Sequence, residues 1–192
     1  MPSQPTIIAF SGSSRRGSFN KKALEIAVQG ARDDGAKVTV VDLRDFEMPI
    51  YDGDLETEKG LPDGAKKLKA LVLQHNGFLI ASPEYNSSLP PLLKNAIDWI
   101  SRPSPGVTQS AVYSGKVAAI VTASPGVLGG FSASIHLRGV LNRLGVQVLA
   151  NQVQIPKAND VFGSEGGIKD SSSENNLKNL GAELSKMIRK LF

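Results

Sequence analysis

The 192-residue sequence contains no cysteine, and this absence excludes several kinds of chemistry at once. Disulfide bonds, a thiolate nucleophile, iron–sulfur clusters and cysteine-ligated zinc all require a residue that is missing. Only two histidines are present, His75 and His136, and their wide separation in the sequence predicts no histidine-based metal site. Any redox chemistry of this protein must therefore be supplied by a bound cofactor.

Hydrophobic segments of membrane-spanning length are also missing. The longest apolar runs, such as residues 117–121, are far shorter than the roughly 20 residues that a transmembrane helix needs. The first five residues are polar and too short for the hydrophobic region of a signal peptide. We therefore expect a cytoplasmic protein that has no membrane partner.

Basic residues are only in modest excess, and the formal net charge is +4. The lysines and arginines are spread along the chain without a basic run that contains aromatic residues, so the sequence predicts no nucleic-acid partner. A mildly basic surface suits anionic small molecules such as nucleotides. The hydrophobic content of 41% is sufficient for a sizeable core, and the absence of a linker predicts one domain over residues 1–192.

Short apolar runs alternate with helical patterns along the whole chain. The predicted strands are residues 6–10, 38–41, 78–81, 117–121 and 146–149. The predicted helices are residues 20–34, 62–75, 90–101, 131–144 and 171–191, the last one starting with a capping box formed by Ser171 and Glu174. Because most runs are continuously hydrophobic, they indicate strands covered on both faces. The sequence thus predicts an α/β three-layer sandwich with a five-stranded parallel sheet in the order 2-1-3-4-5.

The loop after the first predicted strand has the composition of a phosphate-binding loop. Residues 11–19 contain two glycines, four serines and two arginines directly before a helix, whose free amides favour an anion. The loop is not a Walker motif, because Ser18 occupies the position of the lysine, and it contains no G-x-G-x-x-G fingerprint. A single phosphate monoester fits these residues best, and the alternative is an ordinary polar turn that caps the helix.

Two further loops are expected at the same edge of the sheet. Residues 82–90 follow the third strand and contain an aromatic side chain, a carboxylate and an amide, and residues 123–130 follow the fourth strand and are rich in glycine. In open parallel sheets, ligands bind beyond the carboxyl ends of the strands where the strand order reverses. The three loops together predict one ligand site.

Four segments resemble the NADPH-dependent FMN reductase family, which includes quinone, chromate and azo-dye reductases. They are Gly12-Ser13-x-Arg15-x-x-Ser18-x-Asn20, Pro49-Ile50-Tyr51-Asp52-x-Asp54-Leu55, Pro83-Glu84-Tyr85-Asn86 and Leu93-Lys94-Asn95-Ala96-Ile97-Asp98-Trp99. The resemblance implies a flavodoxin-like fold, FMN as cofactor and NADPH or NADH as co-substrate. It also implies ping-pong hydride transfer to N5 of FMN and onward to a quinone, azo dye, metal ion or free flavin, in a homodimer or homotetramer.

The resemblance also implies roles for individual residues. The FMN phosphate would be held by Ser13, Arg15, Ser18 and Asn20, with Phe19 nearby. The ribityl chain and the isoalloxazine ring would be lined by Pro83, Glu84, Tyr85 and Asn86. The ring would also lie along Ser124 and Gly126. Two other functions remain open, namely a flavodoxin-type electron carrier and a non-catalytic nucleotide-binding protein. Carriers of the first type are usually acidic, whereas this chain is basic.

Several side chains have a structural interpretation beside the functional one. Flavin hydride transfer needs no acid or base, so Glu84 is expected to form an ion pair or a helix cap. Trp99 is expected to anchor helix packing or an interface rather than to contact the cofactor. Asp52 and Asp54 are expected to belong to a turn rather than to a metal site. Lys69 is expected on the solvated face of its helix, together with Lys66 and Lys67.

Overall fold

The computed structural model describes residues 3–163 and 167–192. Its sheet is parallel, and its main order is β2-β1-β3-β4-β5, with β6 also paired to β4. The strands are β1 (Thr6–Ser11), β2 (Lys37–Asp42), β3 (Gly77–Ser82), β4 (Val117–Ala123), β5 (Gln147–Val148) and β6 (Val153–Ile155). The predicted fold class and strand order are therefore confirmed.

The fifth predicted strand is wrong in one respect, because two short strands occupy its place. β5 pairs with the beginning of β4 and β6 with its end, so the described sheet has six strands instead of five. Between them the chain leaves the ladder, and the Arg138 guanidinium donates to the carbonyl oxygens of Val148 and Ala150 at 3.2 and 3.3 Å. These carbonyls are satisfied by a side chain, and no continuous strand is needed to pair them.

Helices cover both faces of the sheet and complete a three-layer sandwich. The helices are α1 (Phe19–Asp33), α2 (Gly53–Lys59), α3 (Asp63–Leu73), α4 (Pro91–Ser101), α5 (Gln109–Tyr113), α6 (Phe131–Arg143), α7 (Ala158–Val161) and α8 (Ser171–Leu191). The five predicted helices agree with α1, α3, α4, α6 and α8 to within two residues at each end, whereas the short α2, α5 and α7 were not predicted. Among the residues described, no helix combines the length and apolar character needed to span a bilayer.

Two hydrophobic cores lie on opposite faces of the sheet. In β1, Ile7 and Ala9 pack toward α1 and α8, while Ile8 and Phe10 pack toward α3, α4 and α6. Every residue of β3 and β4 is buried. Because alternate residues of a strand face opposite sides, burial on both sides requires the continuous hydrophobic runs that the sequence contains.

Glycine allows α1 and α8 to pack closely against each other. A Cβ atom at Gly181 would lie 1.9 Å from the carbonyl oxygen of Ala27, and one at Gly30 would lie 2.0 Å from the carbonyl oxygen of Lys178. Both obstacles are backbone atoms, which cannot rotate away. The contact between these helices therefore depends on the absence of side chains at both positions.

The predicted capping box of α8 is wrong. The N-cap is Asp170, whose carboxylate accepts from the amides of Ser172 and Ser173 at 3.3 and 3.0 Å. Glu174 instead pairs with Lys178 one turn along the helix at 2.7 Å. Asp170 lies one residue earlier than Ser171 and offers two charged oxygens to the amides of the first turn, so it is the better cap.

Lys69 is buried, contrary to the expectation of a solvated face. Its side chain is 3% exposed, and its ammonium group donates to the carbonyl oxygen of Arg102 just beyond α4. Burial lowers the pKa of Lys69. The burial of Lys69 could not be predicted from the helical pattern of α3, because the carbonyl group that accepts from its ammonium belongs to a residue 33 positions later in the chain.

Candidate functional site

The three predicted loops meet at the carboxyl edge of the sheet and line one small cavity of about 90 Å³. The predicted residues that line it are Ser13, Arg15, Ser18, Phe19, Asn20, Pro83, Glu84, Tyr85 and Ser124, and the structure adds Ala123 and Pro125. Asn86 and Gly126 lie in the same loops but do not line the cavity. Because whole small-molecule sites usually measure about 300–1,000 Å³, this cavity is sized for the phosphate end of a nucleotide.

The phosphate loop is shaped by close packing beneath it. A Cβ atom at Gly12 would lie 2.9 Å from side-chain atoms of Pro90 and Leu93, so this position leaves little room for a side chain. Ser13 is 2% exposed, and its hydroxyl accepts weakly from the amide of Arg15 at 3.4 Å. Ser18 is the N-cap of α1, and the side chain of Arg15 is exposed. Hydroxyls, helix amides and a guanidinium thus surround a space that fits a phosphate.

The side chain of Asn20, which the resemblance assigns to the FMN phosphate, is hydrogen-bonded to the end of β4. Its amide group donates to the carbonyl oxygen of Ala123 and accepts from the amide of the same residue, each at 2.9 Å. Both polar groups of this buried side chain therefore bind the end of β4. Asn20 lines the cavity, but its hydrogen bonds join the first and third loops to each other.

The loop after β3 contains a tight turn and is attached to α6. The backbones of Tyr85 and Ser88 exchange two hydrogen bonds of 3.0 and 3.1 Å around Asn86 and Ser87, which have left-handed φ values of 50° and 60°. This pattern is that of a type I′ turn. The Glu84 carboxylate accepts from the amide of Ala133 in the first turn of α6 at 2.9 Å, so Glu84 is a helix cap in the structure.

The loop after β4 is supported from below by the chain that follows β6. The Ser124 hydroxyl accepts from the amide of Gly126 at 3.1 Å, and the Ser124 carbonyl oxygen accepts from the amide of Ala158 at 3.0 Å. Gly129 has a φ of 61°, and a Cβ atom there would lie 2.8 Å from the backbone nitrogen of Pro156. Only a residue without a side chain allows this approach. The loop is therefore held as a platform beside the cavity.

An aromatic pair connects the phosphate loop to the segment after β6. The rings of Phe19 and Phe162 stack with centroids 5.6 Å apart, and the Lys22 ammonium lies 5.7 Å from the centre of the Phe19 ring. The family resemblance implies a position near the phosphate for Phe19, but nothing in the sequence pointed to Phe162, which lies in a long connection without a regular pattern. The pair fixes the start of α1 against that connection.

The connection after β2 forms a structural unit with α4 that was not predicted, although parts of it belong to the segments that resemble the family. We use the name strap for residues 46–59, the connection after β2 that contains α2. The Asn95 side chain accepts from the amide of Tyr51 at 2.8 Å and donates to the carbonyl oxygen of Pro49 at 2.9 Å. The Trp99 indole also donates to Pro49, at 2.7 Å. Trp99 therefore packs between elements, as expected, and also fastens the strap to α4.

An ion pair completes the attachment of the strap. Arg102 binds the Glu56 carboxylate at 2.8 Å, and the Tyr51 hydroxyl donates to the same carboxylate at 2.9 Å. Burial alone would raise the pKa of Glu56, but the hydrogen bonds from Arg102 and Tyr51 outweigh it and lower the pKa. Asp52 caps α2 by accepting from the amide of Asp54 at 2.8 Å, which agrees with its interpretation as a turn residue.

The Asp52 result also bears on metal binding. Within residues 3–163 and 167–192, no group of three histidine, cysteine, aspartate or glutamate side chains could hold a metal ion. In the strap, the Asp52 carboxylate caps α2 and the Glu56 carboxylate pairs with Arg102. The cavity itself is lined by hydroxyls, an amide and a guanidinium group, which fit a phosphorylated organic cofactor.

Comparison with known proteins decides the family. A family model described as NADPH-dependent FMN reductase matches residues 5–160. The chain belongs to this family. Membership makes it an FMN-dependent NAD(P)H oxidoreductase, and it confirms the cofactor and enzyme class that the three loops and the family-like segments predicted. The cradle of Ser13, Arg15, Ser18 and the α1 terminus also fits the phosphate of FMN.

Similar sequences occur in several organisms. An NAD(P)H-dependent FMN reductase of Pseudomonas aeruginosa is 33% identical over 186 residues, which cover 96% of each chain. A quinone reductase of Escherichia coli is 35% identical over 146 residues, covering 74% of this chain and 72% of that protein. A 2-hydroxy-1,4-benzoquinone reductase of a Burkholderia species is 38% identical over 144 residues, covering 75% of this chain and 73% of that protein.

Solved structures agree with the fold. The flavoenzyme NAD(P)H:(acceptor) oxidoreductase of Paracoccus denitrificans matches with a TM-score of 0.81 and 26% identity, covering 97% of this chain and 98% of that one. A flavodoxin from the domain Archaea matches with a TM-score of 0.62 at 13% identity, covering 95% and 98%. The second match shows the flavodoxin-like fold alone.

Proposed function

We propose that this enzyme passes reducing equivalents from NAD(P)H to a small quinone in a ping-pong cycle, with FMN bound across the three loops at the carboxyl edge of the sheet. When bound, FMN supplies the two-electron chemistry by accepting hydride at N5 and releasing the electrons to the second substrate. The observation that carries the proposal is the convergence of three separate loops on one phosphate-sized cavity. Two of the three relatives described above are named quinone reductases and none is named for an azo dye or a metal ion, which favours a quinone as the second substrate.

The phosphate end of the cofactor is assigned to the first loop. Ser13 and Ser18 provide hydroxyl donors at the cavity, and the amides at the start of α1 provide positive potential. Arg15 lines the same cavity and supplies the charge for a dianion. Asn20 holds the first loop against the end of β4 through its two bonds to Ala123, so its contribution to cofactor binding is to keep these donors in place.

The ring end of the cofactor is assigned to the second and third loops. Pro83, Glu84, Tyr85 and Ser124 line the cavity from the second and third loops, and Tyr85 is 43% exposed. An exposed aromatic ring beside the cavity can stack on a flat cofactor. We propose that the ring lies along the backbone of Pro83–Asn86 and against Ser124 and Gly126, where amides orient it and exclude water from one face.

Titration of FMN into the cofactor-free protein tests the phosphate assignment. Arg15→Ala removes a charge-assisted hydrogen bond, so the dissociation constant should rise about 10- to 100-fold, and by less at high salt. Arg16→Ala is a matched control, because Arg16 is exposed in the same loop but does not line the cavity. Riboflavin lacks the phosphate, so its binding should respond equally little to both variants. Equal losses of FMN affinity in both variants would contradict the assignment.

Anaerobic reduction tests the catalytic cycle. The yellow colour of the FMN-loaded protein should bleach within seconds of adding NADPH or NADH and return when a quinone is added. Initial rates at several quinone concentrations should give parallel double-reciprocal lines, as a ping-pong cycle requires. A protein that keeps its colour with both nucleotides would be an electron carrier instead of a reductase. Intersecting lines would contradict the ping-pong order alone.

We also propose that the enzyme is a homodimer whose subunits meet at the groove between α4 and α6. This groove has a volume of about 730 Å³, and Phe131 and Ile135 on α6 are each 50% exposed. Exposed apolar side chains beside an apolar groove are typical of an interface between protein chains. Light scattering should give a dimer mass for the parent protein and a monomer mass for Ile135→Lys. Val40→Lys, at a 49% exposed valine in β2, is the control that should remain dimeric.

The cytoplasm is the proposed compartment, because the enzyme consumes NAD(P)H, which is supplied there. Cell fractionation with an antibody against the purified protein should place it with the soluble fraction. Recovery from an extracytoplasmic fraction would contradict this proposal without affecting the assignment of the reaction.

A further inference from the structure

We propose that Glu84 is a positioning residue, whose carboxylate fixes the flavin loop by capping α6 rather than by reacting with substrate. The flavin loop is defined as residues 83–90, between β3 and α4. The inference rests on the proposed flavin site, because it assigns Glu84 a role in shaping that site. The proposed role means that the conformation of the flavin loop depends on α6, where Ala133 lies 49 positions after Glu84 in the chain.

Helix α6 lacks a side-chain cap of its own. The residue at its N-cap position is Gly130, with a φ of 88°, and no side chain of its own cap position accepts from the helix amides. Glu84 supplies the missing acceptor, because its Oε2 atom lies 2.9 Å from the amide nitrogen of Ala133. Ala133 is fully buried, so this amide has little access to water as an alternative partner. A negative charge at a helix N-terminus is also favoured by the helix dipole.

A second contact fastens the other end of the turn to the same helix. The Ser88 hydroxyl lies 3.1 Å from Nδ1 of His136. Ala133 and His136 are three residues apart on α6, which places them on one side of the helix. The two contacts therefore hold the flavin loop at Glu84 and Ser88, on either side of its type I′ turn.

The turn between the two contacts has an unfavourable backbone conformation. Asn86 and Ser87 both have left-handed backbone conformations, although neither is a glycine. Such conformations are unfavourable and persist where the surrounding structure enforces them. The attachment to α6 and the cross-turn bonds between Tyr85 and Ser88 provide that enforcement. Without Glu84, the loop backbone should relax and its amides should lose the orientation that the flavin site uses.

Three variants and one control variant of the protein test this role. Glu84→Ala removes the acceptor, and Glu84→Gln keeps an uncharged oxygen acceptor in the same place. Glu174→Ala is the matched control, since Glu174 forms a surface pair with Lys178 on α8 and lies outside the site. Ser88→Ala removes only the second contact, so it shows whether the two attachments act on the same loop.

The first measurement is amide hydrogen exchange at Ala133 in the cofactor-free protein. Loss of a partly buried bond to a charged acceptor should speed exchange about 10-fold or more in Glu84→Ala. In Glu84→Gln the rate should stay within about 3-fold of the parent, because the amide oxygen still accepts. Glu174→Ala should leave the rate unchanged. These rates report the cap directly and do not depend on FMN.

The second measurement is the dissociation constant of FMN. We expect it to rise about 10-fold in Glu84→Ala, by less in Ser88→Ala, and by no more than about 3-fold in Glu84→Gln. Equal weakening by Gln and Ala would overturn the proposal, because it would mean that the charge itself contacts the flavin. Unchanged exchange at Ala133 in Glu84→Ala would also overturn it. If the parent protein bound no FMN, the proposed site would fail, and the positioning role would fail with it, while the exchange rates would still establish the cap.

Discussion

Replacing Asn20 by alanine tests how the first and third loops of the flavin site are held together. The Asn20 side chain is 4% exposed and makes two hydrogen bonds of 2.9 Å to the backbone of Ala123, which is also 4% exposed. Alanine removes both bonds and leaves a donor and an acceptor of Ala123 in a buried place. The change also removes the link between the start of α1 and the end of β4.

The magnitude follows from these two groups. Leaving one buried polar group without a partner costs about 1–3 kcal/mol, so two such groups predict a loss of about 2–6 kcal/mol before any relaxation. Alanine has a better helix propensity than asparagine, which returns up to about 0.7 kcal/mol. Partial access of water after relaxation reduces the loss further, and we expect a net decrease of about 2–4 kcal/mol. Because domains are usually stable by about 5–15 kcal/mol, the variant should still fold.

Urea denaturation of the cofactor-free protein is the assay, since it separates stability from cofactor binding. Asn151→Ala is the control, because Asn151 is exposed and forms one surface bond to Glu183, so it should change the free energy of unfolding by no more than about 0.5 kcal/mol. A loss below about 1 kcal/mol in Asn20→Ala, together with at least about 10-fold weaker FMN binding, would refute the reasoning. It would identify Asn20 as a direct phosphate ligand.

Three further predictions concern other parts of the structure. Gly181→Ala places a methyl group against the Ala27 carbonyl, so it should lower the free energy of unfolding by about 3 kcal/mol or more. Urea denaturation measures this loss, and an unchanged free energy of unfolding would contradict the close helix contact. Hydrogen bonding to its neighbouring arginine, with help from a lysine, holds the pKa of Asp42 well below its usual range. Asp42→Asn should therefore cost about 1 kcal/mol at neutral pH, where the stabilisation from the depressed pKa is fully present. The difference from the parent should begin to shrink as the pH falls below about 4, the unfolded value, and should be lost only as the pH approaches the depressed pKa of the folded protein; a constant difference across pH would refute this. Arg102→Ala removes the ion pair with Glu56, so it should loosen the strap and shift the fluorescence emission of Trp99, the only tryptophan, to longer wavelength. An unchanged emission spectrum would show that the strap stays in place without this ion pair.

Local pattern was sufficient for the main elements of the fold. The runs that became β1, β3 and β4 are continuously apolar because both of their faces are buried, and this requirement is visible in any five or six consecutive residues. The long helices were predicted to within two residues for the same reason, since one face of each must be apolar. The phosphate loop was recognisable because glycines, hydroxyls and a helix start follow one another directly in the chain.

Features that depend on interactions between residues distant in the chain could not be predicted from local sequence pattern. The break between β5 and β6 depends on the guanidinium of Arg138, which has no strand-like pattern around it. Lys69 looks like a surface lysine in its own helix and is buried only because the carbonyl of Arg102 comes to lie beside it. The cap of α8 moved to Asp170 because its carboxylate competes better than Ser171 for the same amides.

In the candidate site, too, some features could be predicted from the sequence and others could not. The sequence determined the kinds of group present, namely hydroxyls, amides, an arginine and glycines in three loops, and the order of strands that brings those loops to one edge. Only the tertiary structure decided what each group does. Asn20 binds Ala123 across 103 positions, and Glu84 caps α6 across 49. Hydrogen bonds over such separations leave no trace in local composition, because each partner satisfies the other only after the sheet and its helices have packed.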